Sequence, residues 1–178
     1  CDRTKQAVLI DPVLEQRERD LALVAELGAA VRWVLDTHVH ADHVTGAAAL
    51  KASLPEGPPT AVGMACEAAG YDRPLLDGDE LPFGDEVLAV IATPGHTPGS
   101  TCFRIEDKPI LFSGDTLFPG GPGATQFEGG DFAAIITSVE DRLFAALGPD
   151  TIVLPGHGDD TTIGAESPHL QEWIDRGY

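Results

Sequence analysis

The chain has 178 residues, with 29 Asp and Glu against 11 Lys and Arg and a formal net charge of −18. That balance argues against nucleic acid or an anionic membrane surface as a partner, because both would repel it. A 43% hydrophobic and 22% charged composition is that of a water-soluble globular protein, and the length predicts one domain, 1–178, that buries a core without disulfides. No apolar run approaches the ~18–20 residues of a membrane helix, and no secretory leader is expected. Cys1, Cys66 and Cys102 lie far apart without C-x-x-C spacing. They predict neither a disulfide framework nor a zinc knuckle, and so a reducing, cytoplasmic setting; separately, a small-molecule substrate is expected, with scope for a homo-oligomer.

In chain order, the apolar run 7–10 before Asp11-Pro12 reads as one strand of a hairpin whose earlier partner is short or missing. Residues 14–27 carry a helical apolar face, with Gly28 as the stop. The run 31–35 reads as a buried strand, and 46–54 as a short helix closed by Pro55. A strand at 60–64, a helical turn at 66–71 and a turn-rich acidic stretch at 72–84 follow. Residues 86–93 form a strong strand ending at Pro94-Gly95-His96. Strands at 100–105 and 109–113 flank the turn 106–108 as a hairpin ending at Gly114-Asp115. A Gly/Pro-rich loop then runs from Thr116 to Gly130 and is the suspected substrate-binding segment. A helix is expected at 131–147, capped by Asp131 and stopped by Gly148, then a strand at 151–154 and a tail helix opening at Ser167-Pro168.

One stretch concentrates the chemistry. Thr37-His38-Val39-His40-Ala41-Asp42-His43 places three of the six histidines and a carboxylate at the end of a strand. In an extended segment His38 and His40 point the same way, and Asp42 and His43 follow at the turn toward a second position. Histidine and aspartate recur at the ends of three further strands, as His96, Asp115 and His157. Four strand ends that deliver imidazole or carboxylate to one edge describe a metal site at the rim of a sheet. Imidazole with carboxylate suits zinc, iron or manganese, and the lack of thiolate argues against a closed structural zinc site. Asp159 and Asp160 are assigned to solvent or to the surroundings of the metals, His169 to the surface, and Thr161 and Thr162 to holding the loop after His157.

The H-x-H-x-D-H motif at 38–43, with Gly95-His96, Gly114-Asp115 and Gly156-His157 in that order, resembles the metallo-β-lactamase-fold hydrolases. The resemblance covers nearly the whole chain and implies an αββα sandwich, with N-terminal strands absent from this sequence and metals held between the upper edges of two sheets. It further implies that His38, His40 and His96 hold one metal, that Asp42, His43 and His157 hold a second, and that Asp115 bridges them. Two divalent ions are expected, zinc first with iron or manganese as alternatives. A shared hydroxide would be the nucleophile, because bound metals lower the pKa of water from ~15.7 to near 7. Asp42 and Asp115 are the residues expected to take part in catalysis.

Two branches of the superfamily compete. Gly114-Asp115-Thr116-Leu117-Phe118 and the 155–166 tail resemble glyoxalase II, a thioesterase; this is the favoured expectation. Residues 7–15 and 37–46 resemble the persulfide dioxygenases, which use one iron at positions corresponding to His38, His96 and Asp115. That two-His, one-carboxylate set can activate dioxygen. Where glutathione-using members carry an arginine, this chain has Ala124, which points away from glutathione. A non-catalytic metal-binding module is a third reading, disfavoured by an open ligand set beside a long loop.

Overall fold

A computed structural model describes residues 1–177. Strands β1 (Gln6–Ile10), β2 (Ala30–Asp36), β3 (Thr60–Gly63) and β4 (Arg73–Leu75) form one sheet in that order. Every neighbouring pair in it is parallel. Parallel neighbours need a crossover, and α1 (Arg17–Glu26) and α2 (Ala47–Ser53) supply the first two. The anticipated hairpin partner of β1 is not among the described residues, where β1 pairs with β2 alone.

The second sheet contains β5 (Glu80–Phe83), β6 (Glu86–Ala92), β7 (Thr101–Ile105) and β8 (Ile110–Gly114), an antiparallel meander. After β8 come a two-residue pair, β9 (Leu117–Phe118) and β10 (Gly121–Pro122), and then α3 (Phe132–Thr137). The chain returns as β11 (Ile152–Pro155), parallel to β8, and β12 (Thr161–Thr162) closes the order β12-β11-β8-β7-β6-β5. Helices α4 (Ile163–Glu166) and α5 (Leu170–Arg176) follow.

Two-residue alternation sorts the core into layers. On β2, Leu35 enters a cluster with Leu81, Leu88, Val90 and Phe103 between the sheets. Its neighbour Val34 instead meets Val24, Leu50 and Leu54 under the first pair of helices. On β7, Phe103 faces inward, whereas Cys102 faces Ile135, Val139, Leu143 and Trp173 on the far side. The result is the expected αββα sandwich. None of the described helices is long and apolar enough to cross a membrane.

Four expectations shift. The stretch 72–84 contains β4 and β5, and Pro74 is accommodated because β4 is an edge strand. The helix foreseen at 131–147 is α-helical only through Thr137 and then widens to a π-helix at Ser138–Phe144. The turn at 66–71 is a 3-10 turn at Met64–Cys66, and the loop 116–130 holds the β9–β10 pair.

Candidate metal centre

Each ligand-type side chain stands just past a strand end, and close backbone packing fixes it there. At the end of β1, Asp11 takes a left-handed backbone (φ 50°), a conformation aspartate tolerates. Its carboxylate accepts from the Thr37 amide at 2.6 Å and from Thr37 Oγ1 at 2.8 Å. The Thr37 carbonyl in turn accepts from Thr101 N at 2.8 Å, which ties the histidine loop to the second sheet.

Glycines set the other strand ends. A Cβ on Gly95 would stand 2.3 Å from Ile135, one on Gly114 would stand 2.3 Å from Thr37 Oγ1, and one on Gly156 would stand 2.4 Å from Asp115 Oδ1. These three positions need glycine so that the four strand ends can meet.

The structure brings all seven anticipated residues together, in a sorting of its own. His38, His96 and Asp115 offer ligand atoms within 4.8 Å of one another, and so do His40, Asp42 and His43. His40 falls in two such groups, one with Asp42 and His43 and one with Asp11 and Asp36, and its ring centroid is 4.1 Å from that of His38.

Hydrogen bonding fixes which nitrogen of each ring is free. His38 Nδ1 donates to Thr37 Oγ1 at 2.9 Å, since that hydroxyl spends its own proton on Asp11. His96 Nδ1 donates to the Ala124 carbonyl at 2.8 Å. His40 Nε2 donates to Asp11 Oδ1 at 3.1 Å, and His43 Nδ1 lies 3.3 Å from Asp42 Oδ1. Each of the four rings thus keeps one nitrogen without a hydrogen bond, oriented by the bond at the other, as metal-ligating histidines are. His40 Nδ1 and His43 Nε2 are buried without a hydrogen-bond partner, an arrangement that costs about 1–3 kcal/mol per group unless a cation takes the lone pair. The residues fit a metal.

His157 differs. Its Nδ1 is 3.2 Å from Asp115 Oδ1 and its Nε2 is 3.1 Å from Asp42 Oδ2, so both nitrogens are engaged. The Asp42 bond, opposed by partial burial, raises its pKa. Burial raises Asp42, but the bonds from His157 and His43 outweigh it and hold the carboxyl well below the usual range. Burial, reinforced by His40 and His96, pushes His38 down to about 3, so this ring is a neutral ligand at any physiological pH. Burial also lowers His40, but the Asp11 and Asp36 carboxylates prevail and raise it to about 10.

Asp159, Asp160 and His169 are exposed, as anticipated. Thr161 Oγ1 donates to Glu166 Oε1, and Thr162 caps α4. Sequence reasoning missed Asp11 and Asp36. Asp36 is fully buried, accepts from Tyr71 Oη at 2.5 Å and Thr45 Oγ1 at 2.8 Å, and leaves Oδ1 without a hydrogen bond, 3.7 Å from His40 Nε2. Both obey the strand-end pattern that revealed the others, and that was the available clue. The site opens into a cavity of about 270 Å³ lined on one side by Phe127 and Glu128, from the suspected loop.

The Metallo-beta-lactamase superfamily model matches residues 2–157, and the chain belongs to that superfamily. It is 39% identical over 154 residues to the human persulfide dioxygenase ETHE1, covering 86% of this chain and 59% of that protein. It is 35% identical to the hydroxyacylglutathione hydrolase GloC of Haemophilus influenzae, over 93% of this chain and 86% of that one. Among solved structures it resembles ETHE1 from Myxococcus xanthus with a TM-score of 0.86 and 39% identity, covering 94% of this chain and 73% of that one. The chain therefore spans about three fifths of the human relative's length.

Proposed function

We propose that this chain is a mononuclear iron enzyme that oxidises the outer sulfur of a persulfide with dioxygen. One observation carries the reading. His38, His96 and Asp115 present two imidazoles and one carboxylate within 4.8 Å, with both Nδ1 atoms tied back, facing a cavity. Three ligands on one face leave positions for substrate and oxygen. The likeness to relatives named persulfide dioxygenase supports it over the hydrolase expected from sequence.

The overall reaction balances as R–S–SH + O2 + H2O giving R–SH and H2SO3, the two persulfide sulfurs together losing the four electrons that O2 gains. Iron held by the three residues would supply oxygen activation. Of the chain's own groups, Asp115 is oriented by His157 Nδ1, and Asp42 holds the other side of that ring. Held between the two carboxylates, the His157 imidazole would keep a proton at the rim of the cavity.

A second reading has support of its own. The unpartnered nitrogens His40 Nδ1 and His43 Nε2 beside Asp42 make a second metal position, and two metals would suit thioester hydrolysis. We rank it second because relatives named persulfide dioxygenase are matched at higher identity than the hydroxyacylglutathione hydrolase. Metal analysis with paired assays separates the two. The proposal expects about one iron per chain and oxygen uptake on adding a persulfide, both abolished by chelation. Two metals per chain, with thioester turnover and no oxygen consumption, would replace it with the hydrolase.

A further inference from the structure

We propose that the cavity selects a persulfide whose carrier is uncharged or cationic, and that Glu128 sets this preference; the inference rests on the persulfide reading above and names its substrate class. Three carboxylates, Asp42, Asp115 and Glu128, line the cavity, and no Lys or Arg of the described residues does. Asp42 and Asp115 are each hydrogen-bonded to His157, and Asp115 belongs to the set that would hold iron. Glu128 has no such match among the lining residues, so its charge is the one a carrier meets.

Its position is fixed by its surroundings. The neighbouring Phe127 ring stands edge-on to His96 with centroids 5.0 Å apart. The Phe127 carbonyl accepts from Gly130 N at 2.9 Å, and Gly129, at φ 85°, lies against Pro98. The turn therefore holds the backbone of Glu128 at the rim of the cavity that the residue lines. Val39 and Phe127, each about half exposed, offer apolar surface for an alkyl or amide carrier. Nothing in the segment 121–128 offsets the charge: it reads Gly-Pro-Gly-Ala-Thr-Gln-Phe-Glu, without a basic residue, and the Ala124 carbonyl is spent on His96. A net charge of −18 adds a field in the same direction.

The test uses the iron-loaded protein with persulfides of glutathione (two carboxylates), 2-mercaptoethanol (neutral) and cysteamine (cationic), read by oxygen uptake. The S-methyl thioethers of the same three carriers, which do not react, are titrated in parallel by calorimetry. We expect kcat/KM for glutathione persulfide to lie about 10-fold or more below that for the neutral carrier, the gap shrinking as salt rises to 0.5 M. Glu128→Gln should narrow the glutathione-to-neutral ratio about 3-fold, and Glu128→Lys should reverse it, in turnover and in thioether binding alike. Equal or better use of glutathione persulfide by the parent protein, or a ratio unmoved by Glu128→Lys, overturns the assignment. If none of the persulfides consumes oxygen, the functional reading falls; the thioether titrations still decide whether Glu128 selects by charge.

Discussion

Asp11 accepts from the Thr37 amide, the Thr37 hydroxyl and His40 Nε2, so one carboxylate sets both the loop backbone and one imidazole. Asp11→Ala would strand a buried amide and a ring N–H, at about 1–3 kcal/mol each. Losing a bond that orients a ligating imidazole also weakens metal binding, by about 10–100-fold. Asp11→Asn keeps one acceptor oxygen and should recover part of both, read by chemical denaturation and metal titration; an Asp11→Ala protein with parental metal affinity would remove Asp11 from the site's support. The two shifted histidines give the metal-free protein a pH signature. His38, at about 3 when folded and near 6.5 when unfolded, binds fewer protons in the native state between those values, so its contribution is lost as pH falls from 6.5 toward 3. His40, at about 10 when folded, contributes fully below 6.5, and that contribution is lost as pH rises toward 10. The opposed slopes place a stability maximum between them, near neutral pH. Denaturant midpoints of metal-free His38→Asn should show a flattened acid limb and those of His40→Asn a flattened alkaline limb; unchanged limbs would contradict the assigned shifts.

Strand ends do the work of assembly, and β11 shows how little room they leave. A methyl group on Gly156 would stand 2.4 Å from Asp115 Oδ1, so Gly156→Ala must displace the carboxylate or the strand end. The expected outcome is metal binding reduced at least 10-fold with a near-native circular dichroism spectrum, because Gly156 itself is exposed and outside the core. Parental metal content in that variant would mean that Asp115 tolerates a second position. The same strand ends explain what was readable beforehand. His38, His40, Asp42, His43, His96, Asp115 and His157 each follow a hydrophobic run closed by a turn, a local pattern that needs no knowledge of packing. The grouping of His40 with Asp42 and His43 was not readable, because it depends on which ring nitrogen Asp11 and its neighbours claim across the sheet. β4 and β5 escaped because Pro74, Gly78 and Gly84 look like turn residues until the strands on either side supply partners. The π-helix escaped because a 3.6-residue period describes α3 well and fails only where Ser138 Oγ reaches the Pro94 carbonyl.

Two sheets with helices outside each leave most charged side chains on the surface, and the chain carries 29 acidic residues against 11 basic ones. Several cations are paired there, including Lys108–Glu86 at 2.7 Å and Arg73–Asp79 at 2.9 Å, together with Lys51–Asp72 and Arg142–Asp77. Added salt acts on this surface in two opposed ways. It weakens the pairs, each worth about 0–1 kcal/mol when exposed. It also screens the mutual repulsion of a net −18, which acts between many carboxylates over distances that the Debye length, ~30 Å at 0.01 M and ~10 Å at 0.1 M, cuts off. The acidic excess of 29 − 11 = 18 residues exceeds the number of cations available for pairing, so relief of repulsion wins. The metal-free protein should therefore gain several degrees in melting temperature between 0.01 and 0.2 M sodium chloride. Bound cations neutralise part of the charge at the carboxylate-rich site, so the metal-loaded protein should gain less from the same salt. Thermal scans of both forms across that range decide the matter: a melting temperature that falls with salt would show that the ion pairs, not the net charge, dominate this surface.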